Sequence, residues 1–270
     1  MGLFVCPSGA MDEDQPMTGI LAGKIAIVTG ASQGVGRGEA IALAKEGAKV
    51  AVIARGYDGV MATARDIEAL GGKAFPIACD VRSAEQVKQA VAKVVERWGT
   101  VDILVNNAQI IHAPHAFEEW TEQEMRDSWE SGAFGTWAFM VACFPHMKDR
   151  GGRIINTCSA TGHGNPGSRL CGYASTKEAI RSLTRTGARE WGKYGITVNA
   201  ISPMVQTETT VKVFPKEEQR TAILHSGGPT LTKRWGDAER DVGRAVVYLA
   251  GPDAEIITGC LLPVDNGCAI

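Results

Sequence analysis

Short apolar runs alternate along this chain with longer stretches in which apolar residues recur at helical spacing. The run Lys24–Thr29 is apolar over most of its length and ends at Gly30, which is typical of a buried strand followed by a tight turn. The stretch Val35–Glu46 has helical spacing and stops before Gly47, a residue type favoured just beyond a helix end. Six further apolar runs predict strands at Val50–Ala54, Ala74–Ala78, Val101–Val105, Arg153–Thr157, Ile196–Ile201 and Leu261–Val264.

Helical spacing fills the intervals between these runs. It predicts helices at Asp58–Leu70, Thr121–Met147 and Asp237–Ala250, a helix capped by Ser83 that runs to Trp98, and a helix that carries Tyr173 and Lys177. Because strands and helices alternate throughout, we expect an α/β fold with about seven mostly parallel strands and helices on both faces. The composition shows no break and no repeat, so residues 20–270 are predicted to form one domain. Residues 1–19 are expected to be a flexible leader, and residues 207–228 a lid over the substrate.

Composition and charge narrow the function classes. The 270 residues are 44% hydrophobic and 21% charged with a formal net charge of −2, which suits a globular protein and argues against a nucleic-acid binder. The apolar stretches are shorter than the roughly 20 residues that a membrane span needs, so no membrane partner is expected. The seven cysteines form no C-x-x-C pair and the leader lacks an export signal, which predicts free thiols and a cytoplasmic protein. His112 and His115 lack a third ligand, so no metal site is predicted.

Tyr173 and Lys177 carry the most chemical information in the chain. Four residues apart on a helix, their side chains lie on one face, one turn apart. A free tyrosine has a pKa of about 10, and a lysine cation beside it stabilises the phenolate and lowers that pKa. Such a tyrosine can exchange a proton with an alcohol oxygen near neutral pH. A Y-x-x-x-K pair is also common on exposed helices, so its weight depends on the rest of the site.

A glycine-rich turn, Thr29–Gly36, follows the first predicted strand. Gly30, Gly34 and Gly36 allow a tight turn and a close approach of the backbone to a pyrophosphate at a helix N-terminus. Their G-x-x-x-G-x-G spacing differs from the commoner G-x-G-x-x-G dinucleotide fingerprint. In sheets of this kind ligands bind beyond the carboxyl ends of the strands. We therefore expect the turn and the other motifs that follow strands to share one cleft.

Taken together, these motifs resemble the short-chain dehydrogenase/reductase family, from about residue 21 to residue 270. The resemblance is carried by Thr29–Gly36, Asp80-Val81, Asn106-Asn107-Ala108, Ser159, Tyr173-x-x-x-Lys177, Asn199-x-x-x-Pro203 and Asp265-x-Gly267. It implies a single-domain Rossmann-type, doubly wound parallel sheet. It also implies an enzyme that transfers a hydride between a nicotinamide cofactor and a small ketone or secondary alcohol.

The resemblance assigns three catalytic residues. Tyr173 would exchange the hydroxyl proton of the substrate. Lys177 would lower the pKa of that tyrosine and hold the nicotinamide ribose. Ser159 would hydrogen-bond the substrate oxygen, which orients it and stabilises charge.

The resemblance also assigns the residues that bind the cofactor. Asp80 would meet the adenine amine and Asn107 the adenosine side, while the Val205 backbone and the Thr207 hydroxyl would fix the carboxamide. The full predicted set is Gly30, Ser32, Gln33, Gly34, Val35, Gly36, Arg55, Asp80, Val81, Asn107, Ala108, Tyr173, Lys177, Pro203, Val205 and Thr207.

The end of the second predicted strand indicates which nicotinamide cofactor is preferred. Family members that use NAD usually carry an acidic residue there to grip the ribose hydroxyls. Here that position is Ala54, followed by Arg55, whose planar fork of donors suits a 2′-phosphate. We therefore expect preference for NADP(H). NAD(H) stays the alternative, because Gln33 stands where many NADP users have a second basic residue.

Three positions depart from the family pattern. Gln109 and Met204 each replace a usual glycine near the cofactor. Gly132 stands in place of the fourth catalytic residue, an asparagine that helps to hold a water linking Lys177 to solvent. We expect Ser131 or a backbone carbonyl with an extra water to substitute, and a water-filled space beside Gly132.

Alternatives remain for the function. The favoured one is an NADP(H)-dependent ketone/alcohol oxidoreductase, with a 3-oxoacyl-thioester reductase as the other enzyme. A catalytically weak, dinucleotide-binding regulatory module is the alternative of another class. The substrate pocket is expected to involve residues 162–170, Trp137 or its neighbours, Met204 and the lid, with Phe214 and Leu224 supplying apolar surface.

Large apolar residues on two helices predict association. A single sheet layer cannot obviously hide all of them, and large apolar surfaces mark contacts between chains. We expect a homotetramer, with a dimer as second choice. The residues are Trp129, Phe134, Trp137, Phe139, Phe144, Leu183 and Trp191.

Overall fold

The computed structural model describes residues 18–163, 169–225 and 234–267. Within these residues, seven strands form one sheet in the order β3-β2-β1-β4-β5-β6-β7, and every neighbouring pair is parallel. The predicted single-domain, doubly wound fold is thereby confirmed. The strands are β1 (Ile25–Thr29), β2 (Lys49–Ala54), β3 (Lys73–Ala78), β4 (Ile103–Asn106), β5 (Gly152–Thr157), β6 (Ile196–Pro203) and β7 (Leu261–Val264).

Helices cover both faces of the sheet. They are α1 (Gly34–Lys45), α2 (Tyr57–Ala69), α3 (Ala84–Trp98), α4 (Glu122–Trp129), α5 (Gly135–Met147), α6 (Ala160–His163), α7 (Cys171–Trp191), α8 (Glu208–Val213), α9 (Glu217–His225) and α10 (Arg244–Ala250). None of the helices in the described part of the chain is long and apolar enough to cross a membrane.

The strands read as continuous apolar runs because both of their faces are buried. In β1, Ala26 and Val28 pack into a core cluster with α1 and α10, whereas Ile25 and Ile27 pack into a second cluster with α3 and α5. Burial on both sides removes the alternation of polar and apolar positions that a half-exposed strand shows. The core therefore lies as two layers, one on each face of the sheet.

Local signals placed most element ends within one or two residues. The helix expected at Asp237–Ala250 instead begins as a π-helix, Ala238–Gly243, and continues as α10. Ser83 accepts a hydrogen bond from the Gln86 amide, so it caps α3 as predicted. Gly47 has a φ of +88°, the left-handed conformation expected just beyond the end of α1. Leu21 is buried in the core, and its backbone amide donates to Glu46 O. Residues 1–17 of the predicted leader lie outside the described residues.

The predicted helix Thr121–Met147 differs in its middle. It contains five residues of π-helix, Glu130–Phe134, between α4 and α5. Such π turns accommodate extra residues and occur often at functional sites. The predicted lid forms α8 and α9, and residues 226–228 of it lie outside the described part.

Candidate active site

A cleft of about 1210 Å³ opens at the carboxyl edge of the sheet. Its walls come from the turns and loops that follow β1 to β6, together with α7. It is lined by every residue predicted to bind cofactor or to act in catalysis, except Gly36: Gly30, Ser32, Gln33, Gly34, Val35, Arg55, Asp80, Val81, Asn107, Ala108, Ser159, Tyr173, Lys177, Pro203, Val205 and Thr207.

Hydrogen bonds tie the glycine turn to the loop after β4. The Thr29 hydroxyl accepts from the amides of Asn107 (3.0 Å) and Ala108 (3.1 Å). The Asn107 side chain donates to Thr29 O at 3.2 Å and Gly30 O at 3.3 Å. A Cβ atom on Gly36 would lie 2.5 Å from that side-chain nitrogen and 2.5 Å from Gly30 O. Position 36 therefore requires glycine, because the turn packs directly against it. Asn107 binds the turn in this structure, and its contact with adenosine stays a prediction.

Ser159, Tyr173 and Lys177 converge beyond the end of β5. Ser159 follows β5 after one residue, and the other two lie one turn apart on α7. The Lys177 ammonium lies 5.3 Å from the centre of the Tyr173 ring and donates to Thr157 O at 2.7 Å. The structure thus brings the three predicted catalytic residues together.

The electrostatics of this trio differ from the expectation for a free tyrosine–lysine pair. Burial raises the pKa of Tyr173 to about 12, although hydrogen bonding with Ser159 opposes the rise. Burial also lowers the pKa of Lys177 to about 8. In the protein alone, loss of solvation outweighs any stabilisation of the phenolate by the lysine. The expected depression of the tyrosine pKa by Lys177 is therefore not a property of these side chains by themselves.

Glu39 is a buried acid that the sequence analysis did not single out. It lies on α1 with no exposed surface, and neither carboxylate oxygen has a hydrogen-bond partner among the described residues. Burial raises the pKa of Glu39 to about 8, and the charge of Lys177 opposes that rise. The sequence did hold a signal for this buried acid: Glu39 is an acidic residue on the apolar face of α1, three positions after Gly36.

The space beside Gly132 is filled by protein side chains. A Cβ atom there would lie 2.2 Å from Thr176 Cγ2 and 2.3 Å from Gln109 Oε1. The expected water-filled space at this point is therefore wrong, because the Gln109 amide and the Thr176 methyl group occupy it. The Ser131 hydroxyl donates to Asp127 O at 2.6 Å and accepts from the Ile110 amide at 2.9 Å.

Arg55 and Asp80 mark the far end of the cleft. Asp80 is held by Arg82, whose guanidinium donates to both carboxylate oxygens at 2.7 to 3.1 Å. Hydrogen bonding from Arg82 holds the pKa of Asp80 below its ordinary value, and the charge of Arg55 adds to this. Arg55 is exposed at the end of β2 and forms no hydrogen bond with the described residues.

The segment after β6 lies over the glycine turn. Thr207 caps α8: its hydroxyl accepts from the backbone amide of Thr210 at 3.3 Å. Thr207 also lies against the turn, since a Cβ atom added to Gly34 would be 3.3 Å from the Thr207 Cβ. The side-chain Nε2 of Gln33 also donates to the Thr209 hydroxyl at 3.0 Å. These contacts close one side of the cleft with the first part of the predicted lid.

Apolar side chains line the opposite end, beyond Tyr173. Leu170, Met204 and Phe214 line the cleft as expected, whereas Leu224 is not among its lining residues. Trp137 is not among them either, which corrects that expectation: it is 45% exposed and its ring centre lies 5.5 Å from that of Phe134, outside the cleft. Apolar lining residues that the sequence analysis missed are Ile110, Ile111, Pro114, Val213 and Trp235.

Comparisons with known proteins agree with this geometry. A family model described as short chain dehydrogenase matches residues 24–218. The chain is 36% identical over 260 residues to a 12alpha-hydroxysteroid dehydrogenase from a Clostridium species, covering 92% of this chain and 98% of that protein. It is 36% identical over 249 residues to a 3-oxoacyl-(acyl-carrier-protein) reductase of Staphylococcus epidermidis, covering 90% and 98%. The crystal structure of a 3-ketoacyl-(acyl-carrier-protein) reductase from Brucella melitensis complexed with NADH superimposes with a TM-score of 0.83 at 31% identity, covering 93% of this chain and 100% of that one.

Proposed function

Because this chain belongs to the short-chain dehydrogenase family, we propose that it transfers a hydride between NADP(H) and a ketone or secondary alcohol, with Tyr173 as the acid–base residue. The observation that carries the proposal is the convergence of Ser159, Tyr173 and Lys177 in the cleft that also contains the glycine turn. A proton donor, a cation and a dinucleotide cradle are the parts that this reaction needs from a protein.

The cleft fits a dinucleotide. Gly30 takes a φ of +66° and lets the turn fold tightly. The first two residues of α1, Gly34 and Val35, line the cleft, and the amides at a helix N-terminus favour phosphate. Arg55 and Asp80 would hold the adenosine end, and Lys177 the nicotinamide ribose. When bound, the nicotinamide supplies or accepts the hydride.

The proton is handled by this chain's own residues. In the oxidation direction, the hydroxyl proton of the alcohol passes to Tyr173 as the hydride leaves the carbinol carbon, and a carbonyl group forms. Ser159 donates a hydrogen bond to the reacting oxygen. Lys177, whose pKa of about 8 leaves it largely protonated at neutral pH, places a positive charge 5.3 Å from the tyrosine ring and favours the phenolate.

Tyr173→Phe tests the proposed function directly. Phenylalanine keeps the ring and removes the ionisable oxygen, so turnover should fall by at least the roughly 10²–10⁴-fold that general acid–base catalysis contributes. Turnover is followed by the absorbance of reduced nicotinamide with a panel of ketones and alcohols. Binding of reduced nicotinamide, followed by fluorescence, should be retained. Tyr248→Phe on α10, 42% exposed, is the matched control.

Two results would contradict this assignment. Full activity in Tyr173→Phe would show that Tyr173 is not the acid–base residue. A wild-type protein that binds reduced nicotinamide and turns over no carbonyl compound or alcohol would support the regulatory module instead.

Arg55 supports NADP(H) as the preferred cofactor. Arg55 lies at the end of β2, lines the cleft, and has no hydrogen-bond partner among the described residues. Arg55→Ala should therefore lower the ratio of NADPH to NADH efficiency by about tenfold or more, since charge-assisted hydrogen bonds contribute roughly 1.5–3 kcal/mol. Arg65→Ala, an exposed arginine on α2, is the control. An unchanged ratio would contradict the preference.

The apolar end of the cleft favours a substrate with an apolar body. Leu170, Met204 and Phe214 line the same cleft as Tyr173. A 3-oxoacyl thioester on an acidic carrier would need a basic surface at this mouth. Arg220 instead donates to Phe214 O, and Arg234 pairs with Asp241. We therefore place the alcohol/ketone reaction ahead of thioester reduction, and kinetics with both substrate types distinguish them.

We also propose a homotetramer in the cytoplasm. Trp129, Phe134, Trp137 and Val141 form an exposed apolar surface on α4, the π-helical residues and α5. The Phe144 ring instead stacks on Trp191 at 4.9 Å, and Phe139 is buried, so these residues pack inside one chain. Light scattering should give a mass near four chains of 28.7 kDa. A mass near one chain would exclude association.

A further inference from the structure

One charged side chain at the active-site cleft has no role in the proposed reaction. Among the described residues, the charged side chains that line the cleft are Arg55, Asp80, Arg169 and Lys177. The proposed function uses Arg55 and Asp80 at the adenosine end and Lys177 at the nicotinamide ribose. Asp80, the acid of this set, is already paired with Arg82 at 2.7 Å. The cleft therefore carries an excess of positive charge, and Arg169 is the cation that the cofactor does not account for.

Arg169 stands directly before the first turn of α7. That turn begins at Leu170, whose carbonyl accepts from the Ala174 amide at 2.8 Å, and it contains Tyr173. Arg169 and Tyr173 line the same cleft and lie about one helical turn apart along the chain. Leu170, between them in the sequence, is apolar and lines the cleft as well. A cation, an apolar side chain and the proposed acid–base residue thus follow one another at the start of α7.

The backbone holds Arg169 in a conformation that arginine rarely adopts. Its φ is +56°, in the left-handed region, and Asn266 is the other non-glycine residue of the described chain with a positive φ. Arg169 O accepts from the His115 amide at 2.9 Å and from Trp120 Nε1 at 3.4 Å. His115 in turn contacts Glu124 on α4 at 3.0 Å. Such conformations persist only where the surroundings fix them, and they cluster at functional sites.

The guanidinium of Arg169 is accessible to a ligand. Its side chain is 62% exposed, and its Nη2 donates to Glu119 Oε2 at 3.4 Å. The same glutamate oxygen accepts from the Ala116 amide at 2.8 Å, so Glu119 keeps a partner when the arginine turns to a ligand. Exposed ion pairs of this kind contribute little to stability. Because a guanidinium has five N–H donors in a planar fork, most of them can bind an anion.

We propose that Arg169 determines substrate specificity by binding a carboxylate on a substrate whose body is apolar. This inference rests on the proposed function and names its substrate class: a ketone or secondary alcohol with a carboxylate remote from the reacting carbon. Leu170, Met204 and Phe214 line the cleft and would contact the apolar body. One guanidinium balances the single charge of a carboxylate, and its fork matches the two oxygens. The exposed Glu119 beside it disfavours an acidic carrier protein, so the carboxylate belongs to a small substrate.

Arg169→Asn removes the charge and keeps the backbone, because asparagine tolerates the left-handed conformation. The substrates are linear oxo-carboxylic acids of increasing length, with the oxo group next to the terminal methyl group, and their methyl esters. In the wild type, kcat/KM for the best acid should exceed that for its ester. Arg169→Asn should lower this ratio by about 10-fold or more, the size expected for a charge-assisted hydrogen bond. The loss should appear in KM, because a contact remote from the reacting carbon binds substrate and transition state alike.

Arg150→Asn is the matched control. Arg150 is 64% exposed in the turn after α5, lies 4.0 Å from Asp102 and does not line the cleft, so the ratio of acid to ester should match the wild type. Arg169→Lys keeps the charge without the fork and should retain part of the preference for the acid. Melting temperatures are measured for every variant. A role of Arg169 in the fold alone would lower its melting temperature and reduce the efficiency with acid and ester alike, which would overturn the proposal.

Binding without turnover separates this inference from the proposed function. Calorimetric titration of the acid and its ester into Tyr173→Phe, with NADPH bound, should show tighter binding of the acid, and Arg169→Asn in the same background should remove the difference. If the wild type uses acid and ester equally, reacts only with simple ketones, or keeps its preference in Arg169→Asn, the role of Arg169 is overturned while the proposed function stands. If Tyr173→Phe stays active, the proposed function fails and this inference fails with it.

Discussion

Two packed regions near Lys177, called walls here, both depend on glycine, for different reasons: the start of α1 after the glycine turn, and the contact between Gln109, Gly132 and Thr176. On one side, a Cβ on Gly36 would lie 2.5 Å from Gly30 O, and one on Gly38 would lie 2.4 Å from the carbonyl carbon of Ala238. On the other side, a Cβ on Gly132 would meet side-chain atoms of Gln109 and Thr176. Backbone cannot move without disturbing an element, whereas a side chain can rotate. The first wall is thus rigid and the second adjustable.

Each wall also leaves one buried polar group without a partner among the described residues. In the rigid wall it is the Glu39 carboxyl, three residues after Gly36. In the adjustable wall it is the Gln109 amide oxygen. A carboxyl can change its charge to suit burial, and burial raises the pKa of Glu39 to about 8. An amide cannot do so, which is why its oxygen calls for a hydrogen-bond partner.

Gly36→Ala should lower the stability of the protein the most, because it places a methyl group against backbone atoms of the rigid wall. The added methyl group would overlap Gly30 O and the Asn107 side chain that holds the turn. Overpacking typically costs about 1–3 kcal/mol and occasionally more, and here we expect at least about 3 kcal/mol. Urea unfolding and cofactor binding check this, and both should be lost together. Stability and binding that match the wild type would show that the turn can move.

Glu39→Gln tests the ionisable group of the same wall. The folded-state pKa of Glu39, about 8, exceeds the ordinary glutamate pKa of 4.5, so the folded state binds the proton more tightly. Its contribution to stability is fully present below about pH 4.5 and is lost as the pH rises towards 8. Between about pH 5 and pH 7.5 the wild-type free energy of unfolding should fall by roughly 2–3 kcal/mol relative to that of the variant.

The measurement is urea unfolding of both proteins across this pH range. Lys177 stays protonated in both states over most of the window, because its folded-state pKa is lowered only to about 8. The exposed Glu96→Gln on α3 is the control and should leave the slope unchanged. Parallel curves for wild type and Glu39→Gln would show that Glu39 is ionised in the folded protein.

Gly132→Ala should cost less, since the adjustable wall can give way. The Gln109 amide can rotate, but Thr176 is buried and its hydroxyl is bonded to Gly172 O. We expect a loss of about 1–2 kcal/mol from overpacking, partly offset by the better helix propensity of alanine. Adding Gln109→Ala and Thr176→Ser should restore most of the stability in thermal unfolding. If the triple variant is still less stable than the wild type, the added methyl group clashes with backbone atoms and not with these two side chains.

Gly192→Ala sets the baseline for a glycine that nothing contacts. Gly192 has a φ of −55° and a Cβ there would meet no atom within 4 Å. Replacement should stabilise the protein by about 0.4–1 kcal/mol, because alanine restricts the unfolded chain. The melting temperature should rise slightly. A lower melting temperature would mean that free space around a glycine is not enough to predict whether alanine is accepted there.

The sequence predicted most of the fold because its signals are local. Ser83 caps α3 through an amide three residues away, and Gly47 ends α1 through its own backbone conformation. The π-helical turn at Glu130–Phe134 was missed because helical spacing alone does not show where an extra residue is accommodated. Trp137 was misplaced for a related reason: the pattern marks it as apolar but does not say which surface it joins.

By itself, the sequence determined the strand and helix order, the parallel sheet and most of the polar residues that line one cleft. The order of strands and helices follows from periodicity, caps and turns, which act over a few residues, whereas the cleft residues were predicted from motifs that resemble the family. The tertiary structure alone decided that Glu39 and Lys177 share a buried environment and that Gln109 fills the space beside Gly132. These relations join residues more than twenty positions apart. Their energies depend on burial and on contact distances of a few ångströms, which spacing along a chain does not contain.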